Sequence, residues 1–127
     1  MTQPVKIWFE AEGRLLRLRL ARPKANLVNA AMIASLDAAL AEHIGNGQLG
    51  GVVLDAEGPH FSFGASVEEH LPEQCAAMLA GLHRLVLRMV EFPVPLLVAT
   101  RGQCLGGGLE VALAGHLIFV APDATLG

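Results

Sequence analysis

The 127-residue sequence has no tyrosine, a single tryptophan and five phenylalanines, and its formal charge is slightly negative at -3. A nucleic-acid surface built from basic patches and stacking rings is therefore not expected. Cysteine is scarce as well. Cys75 and Cys104 stand apart rather than as C-x-x-C, which suggests neither a disulfide framework nor a zinc site and fits a reducing cytoplasm. Long apolar runs are missing: residues 93–100 and 111–122 fall short of the roughly 20 residues that a membrane span needs, and His116 interrupts the second. Residues 1–10 mix Lys6 and Glu10 with polar residues and hold no apolar h-region, so no signal peptide is marked.

What the sequence does have is core: 53% of its residues are hydrophobic against 17% charged, which is ample for one globular domain. Val5 to Phe9 and Leu15 to Ala21 flank Glu12-Gly13, and in the second segment Leu16, Leu18 and Leu20 alternate with Arg17 and Arg19. That pattern predicts a hairpin whose second strand is half-buried. Asn29 is an N-cap for a helix carrying Ile33, Leu36, Leu40 and Ile44 on one stripe, ending near Gly45-Asn46-Gly47. Gly51 to Asp55 follows as a buried strand. A second helix is expected from about Glu73 to Glu91, with Met78, Leu82, Leu85 and Met89 on one face, until Pro93 and Pro95 force extended backbone. Leu96 to Thr100 is then a strand, Gly106 to Ala114 a short helix and Leu117 to Val120 the last strand. The alternation implies an α/β fold. The ending at Asp123 to Gly127, directly after an apolar strand, reads as cut rather than finished.

Two glycine-bearing segments carry the chemistry. In Phe61-Ser62-Phe63-Gly64-Ala65-Ser66-Val67-Glu68-Glu69, Gly64 permits a positive φ that can aim the following amides at an anion, although a plain surface turn reads the same way. In Gly102-Gln103-Cys104-Leu105-Gly106-Gly107-Gly108-Leu109-Glu110, three glycines at a helix start cost roughly 1 kcal/mol each relative to alanine, a cost that close approach of a ligand to bare backbone would explain. Neither a P-loop nor a dinucleotide fingerprint is present. Glu110 lies in an apolar run with Leu109, Val111, Ala112 and Leu113. It must therefore be paired, hydrated or functional, the alternative being a helix-start glutamate that answers the dipole. The five histidines read as satisfied or surface polar groups with no metal spacing, and Cys104 as a small buried hydrophobe.

Phe63-Gly64-Ala65-Ser66-Val67 followed by Leu105-Gly106-Gly107-Gly108-Leu109-Glu110 resembles the enoyl-CoA hydratase/isomerase, or crotonase, superfamily. The likeness extends to Arg22-Pro23-Lys24-Ala25 with Asn29 and to the closing Ala124-Thr125-Leu126-Gly127. It implies an α/β crotonase-type (ClpP/crotonase) β-β-α spiral core, incomplete at its C-terminus, with residues 1–127 as the N-terminal part of a catalytic domain. It also implies an oxyanion hole formed by the amides of Ala65 and Gly107, and Glu110 as the first of two catalytic glutamates. The acyl-CoA substrate would lie along Lys24, Ala25 and Leu27 and then along Ala65, Ser66, Val67 and Glu68. Arg14, Arg17, Arg19, Arg22 and Lys24 cluster early in the chain, which suits an anionic ligand or equally a solvated strand face.

The sequence departs from the family pattern at Ser66, where aspartate is usual, at Gly115-His116, where Cys-Asp is usual, and at Arg101 in the strand before Gly102. Ser66 with Val67-Glu68-Glu69-His70 looks most like the cyclic dienoyl-CoA hydratases of anaerobic aromatic degradation. The implied reaction is hydration of an unsaturated acyl-CoA, with no metal or redox cofactor, in a trimer or hexamer. Rival readings are an isomerase or hydrolase on the same scaffold and a noncatalytic acyl-CoA-binding protein. The resemblance also puts a second catalytic acid beyond Gly127, so the 127-residue piece is expected to be inactive alone.

Overall fold

The computed structural model describes residues 3–65 and 72–127. Strands β1 (Val5–Glu10) and β2 (Leu15–Leu20) form the expected antiparallel hairpin, and Ala11, Glu12 and Gly13 turn the chain with positive φ. Leu16, Leu18 and Leu20 are buried, while Arg17 and Arg19 take the opposite face. Helix α1 (Ala30–His43) starts where Asn29 Oδ1 accepts the Met32 amide at 2.9 Å. It buries Met32, Ile33, Leu36, Ala39 and Leu40. Ile44 departs from expectation: the helix ends at His43, which leaves Ile44 as the C-cap, 48% exposed and off the buried stripe.

The chain continues through β3 (Gly51–Ala56), α2 (Pro72–Val90), β4 (Leu96–Thr100), β5 (Gln103–Cys104), α3 (Gly107–Leu113), β6 (Leu117–Val120) and β7 (Thr125–Leu126). The main sheet has the order β1-β2-β3-β4-β6, with every neighbour after the hairpin parallel. Parallel strands need crossovers long enough to hold a helix, and α1, α2 and α3 occupy them. Register aligns Leu16 with Val52 and Leu96, and Leu18 with Leu54 and Val98. These rows join Met32, Leu36 and Leu40 of α1 and Met78, Leu82, Leu85 and Met89 of α2 in one core. An Arg88–Asp37 ion pair ties the two helices together.

On the opposite face of the sheet, parallel register sets Arg19 beside Asp55. Arg19 donates twice to the Asp55 carboxylate at 2.8 Å, Arg17 once at 3.0 Å, and both guanidinium groups lie over the Trp8 ring. Two of the early basic residues are thus engaged by the sheet itself.

Two further corrections concern the last third of the chain. Leu117 to Val120 is not the last strand: β5 and β7 pair in parallel as a second, two-stranded sheet, Gln103 opposite Thr125 and Cys104 opposite Leu126. Arg101 lies just past the end of β4, exposed, with Nη2 donating to the Ala56 carbonyl at 3.1 Å.

Candidate active site

Three segments lie side by side at the ends of the strands. Residues 61–65 are flanked on one side by 25–28, through Phe63 N–H to Ala25 O and Val28 N–H to Gly64 O, both 2.8 Å. On the other side run residues 101–105, through Phe61 N–H to Arg101 O at 2.9 Å, Ser62 N–H to Gln103 O at 3.1 Å and Leu105 N–H to Ser62 O at 3.0 Å. Asn26, fully buried, pins the first segment. Its Oδ1 accepts the Arg22 amide at 2.8 Å, and its Nδ2 donates to the carbonyls of Glu57 and His60 at 3.0 and 3.1 Å.

Gly64 turns the chain with φ +104°, and a Cβ there would stand 3.0 Å from the Leu105 carbonyl, so conformation and space both call for glycine. The next amide is that of Ala65. Across the gap, α3 begins at Gly107, and a Cβ built on it would lie 3.6 Å from Ala65 N and 3.7 Å from Val28 Cβ. Among the described residues, no acceptor takes the amide of Ala65 or of Gly107, whereas Gly64 N–H is taken by Ser62 Oγ and Gly108 N–H by Leu105 O. Two donors without an acceptor among the described residues therefore stand close together, beside the apolar Val28. Donors fixed in this way favour an oxygen that gains negative charge.

Glu110 lies one turn further along α3. Its side chain is exposed, with no hydrogen bond or ion pair to the described residues, so the carboxylate is open to solvent rather than paired within them. Gly107, Gly108, Val111 and Ala112 form the buried side of the helix.

Lys24, Ala25 and Leu27 line a cavity of about 250 Å³ together with Pro4, Arg22 and Asn29. Ser66, Val67 and Glu68, expected along the same ligand, lie outside the described residues. Cys104 is fully buried beside the glycines, and burial pushes its thiol up to about 11, which keeps it protonated and poorly nucleophilic. His60 accepts the Gln103 amide at Nδ1, and His116 accepts the Leu96 amide at Nδ1 while its Nε2 meets the Val90 carbonyl. Both are satisfied polar groups, as their sequence setting implied. Among the described residues, no group of three or more His, Cys, Asp or Glu could hold a metal ion, and no helix is long and apolar enough to cross a membrane.

Sequence reasoning passed over Asn26 and Ser62. The available signal was a small polar residue inside an otherwise apolar motif, which in a buried loop has to find backbone partners.

The chain has close counterparts in sequence and fold. The family model for enoyl-CoA hydratase/isomerase matches residues 10–127. The cyclohexa-1,5-dienecarbonyl-CoA hydratase of Thauera aromatica is 66% identical over 126 residues, covering 99% of this chain and 49% of that protein. A probable enoyl-CoA hydratase of Bacillus subtilis (strain 168) is 31% identical over 114 residues, 87% of this chain and 44% of its own length. Among solved structures, an enoyl-CoA hydratase from Bacillus anthracis superposes with a TM-score of 0.91 at 25% identity, over 98% of this chain and 50% of the other. The chain spans about half the length of these relatives. With its glycine segments brought together in this arrangement, the chain belongs to the enoyl-CoA hydratase/isomerase family and has the α/β crotonase-type fold.

Proposed function

We propose that the chain, as part of its whole protein, is the N-terminal part of a catalytic domain that adds water to an unsaturated acyl-CoA thioester. The observation that carries the reading is the pair of neighbouring amides, at Ala65 and Gly107, that no acceptor among the described residues takes. As hydroxide adds to the conjugated carbon, the thioester carbonyl becomes an enolate, and two fixed donors stabilise that charge more than they stabilise the neutral ester. Glu110 activates the water or returns the proton, supported by its position one turn from Gly107 and its freedom from any partner among the described residues.

The acyl group is cyclohexa-1,5-diene-1-carbonyl, an assignment supported by the 66% identity to the Thauera aromatica protein of that name. The role is in anaerobic aromatic (benzoyl-CoA) degradation. Coenzyme A lies along Lys24, Ala25 and Leu27 and on past Ala65 to Ser66, Val67 and Glu68, with Lys24 near its phosphates. Coenzyme A belongs to the substrate, and the chemistry uses no metal or redox cofactor. The protein works in the cytoplasm as a homotrimer or homohexamer, without nucleic-acid or membrane partners.

Hydration followed by loss of absorbance of the conjugated thioester tests the reading. The whole protein should turn over cyclohexa-1,5-diene-1-carbonyl-CoA faster than crotonyl-CoA, and the 127-residue chain alone should be inactive. Binding of the dienoyl ester by the whole protein without turnover would overturn it in favour of a noncatalytic carrier.

A further inference from the structure

Ser62 is fully buried in the middle of the three-segment array, and each of its polar atoms is used. Its hydroxyl donates to the Asn26 carbonyl at 2.8 Å and accepts the Gly64 amide at 3.0 Å. Its own amide donates to Gln103 O at 3.1 Å and its carbonyl accepts the Leu105 amide at 3.0 Å. A Cβ on Gly108 would come within 2.6 Å of Ser62 Cβ and 2.7 Å of its Oγ, so the first turn of α3 rests directly on this side chain. Ser62 therefore touches both carriers of the unengaged amides, the Gly64 turn that presents Ala65 and the helix start that presents Gly107.

The Asn26 carbonyl can only accept, so the Ser62 hydroxyl proton is committed to it, and the oxygen lone pairs are left for the Gly64 N–H. That bond fixes the Phe63–Gly64 peptide plane, one before the Gly64–Ala65 plane that carries the Ala65 amide. It so anchors the Gly64 turn, whose φ of +104° gives the backbone little restraint of its own, from one side, while Val28 N–H holds the Gly64 carbonyl at 2.8 Å from the other. We propose that Ser62 is a positioning residue for the oxyanion hole, its hydroxyl setting the aim of the Ala65 amide against that of Gly107. The proposal rests on the reading of the two amides as a thioester oxyanion hole.

The test uses the whole protein and a saturated ester, ¹³C-carbonyl cyclohexanecarbonyl-CoA, which cannot take up water. Its carbonyl stretching frequency should fall on binding, as for an oxygen held by two donors. In Ser62→Ala most of that shift should be lost, and kcat for the dienoyl ester should fall about tenfold, less than the roughly 10² or more expected for deleting a donor outright. KM and the affinity for free coenzyme A should stay within about twofold of the unaltered protein. A role confined to stability would lower the melting temperature and leave the carbonyl shift in place, and that result overturns the proposal. An unshifted carbonyl in the unaltered protein overturns the oxyanion reading and the Ser62 proposal with it. Should Ser62→Ala fail to fold, Ser62→Cys replaces it with the same two readouts, since a thiol of similar reach is a weak acceptor.

Discussion

A methyl group on Gly107 would sit 3.6 Å from the amide nitrogen of Ala65, at ordinary contact distance from its neighbours. The position tolerates a side chain sterically. On the proposed reading, the glycine there leaves room for the thioester oxygen.

Gly107→Ala is therefore expected to fold, with stability changed by no more than about 1 kcal/mol, because alanine suits a helix start better than glycine. It should still lower kcat by at least about 10², since the methyl occupies the place of the substrate oxygen. Circular dichroism and steady-state hydration kinetics on the whole protein check both halves, and full activity in the folded variant would remove Gly107 from the site.

Glu110→Gln keeps size and polarity while abolishing the carboxylate. For a general acid or base the expected loss in kcat is about 10² to 10⁴, with acyl-CoA affinity retained. Because the side chain is exposed and makes no hydrogen bond or ion pair with the described residues, the melting temperature should not move, and an unchanged kcat would return Glu110 to the role of a solvated helix-start residue.

The thiols provide a pH test. Cys104 is buried with its thiol raised to about 11 from the ordinary value of 9.0, while Cys75 is half-buried. At pH 8, alkylation of the native chain should label Cys75 and spare Cys104, and unfolding should expose both. The sign for stability follows. The folded state holds the thiol neutral, so the contribution is complete below about pH 9 and is lost as pH rises towards 11. Cys104→Ser, whose hydroxyl does not titrate in that range, should flatten the alkaline limb of a pH–stability profile.

Asp55→Ala leaves Arg17 and Arg19 adjacent on the sheet with their shared counterion gone. The group is mostly buried, so the cost falls between that of surface and interior ion pairs, about 2 kcal/mol. A urea midpoint unchanged within error would show the network to be incidental. Activity of the folded variant should persist, because neither arginine belongs to the three-segment array.

Leu117 and Phe119 point from the same face of the edge strand β6 and are 57% and 56% exposed. An open strand edge with apolar side chains is a template for association. The 127-residue chain should accordingly self-associate at micromolar concentrations, and Leu117→Lys with Phe119→Lys should shift its light scattering towards monomer without lowering its melting temperature.

Local order was legible in the sequence where short-range chemistry decides it. The Asn29 cap, the Leu16/Leu18/Leu20 alternation and the Pro93 stop each depend on a few adjacent residues, and each was found within two residues of its place. What escaped was non-local. Strands β5 and β7 are two residues each, too short for any periodicity, and exist because Gln103 and Cys104 find Thr125 and Leu126. Asp55 looked like the end of an apolar strand until parallel register set it against Arg19. The glycine segments were readable because glycine is costly in such settings, whereas Ser62 and Asn26, polar residues satisfied by backbone, announce nothing on their own.

The three-segment array has a consequence for folding order. Its bonds join residues 36 and 43 positions apart, Ser62 with Asn26 and His60 with Gln103, while the β1–β2 hairpin closes over a few residues. Closing such loops costs entropy before any contact repays it, so the array should be among the last parts to form and the first to open. A ligand oxygen held by both amides would act as a non-covalent staple across those loops. Saturating thioester should then slow amide hydrogen exchange at Ala65 and Gly107 far more than within the hairpin, as mass action on the closed form requires.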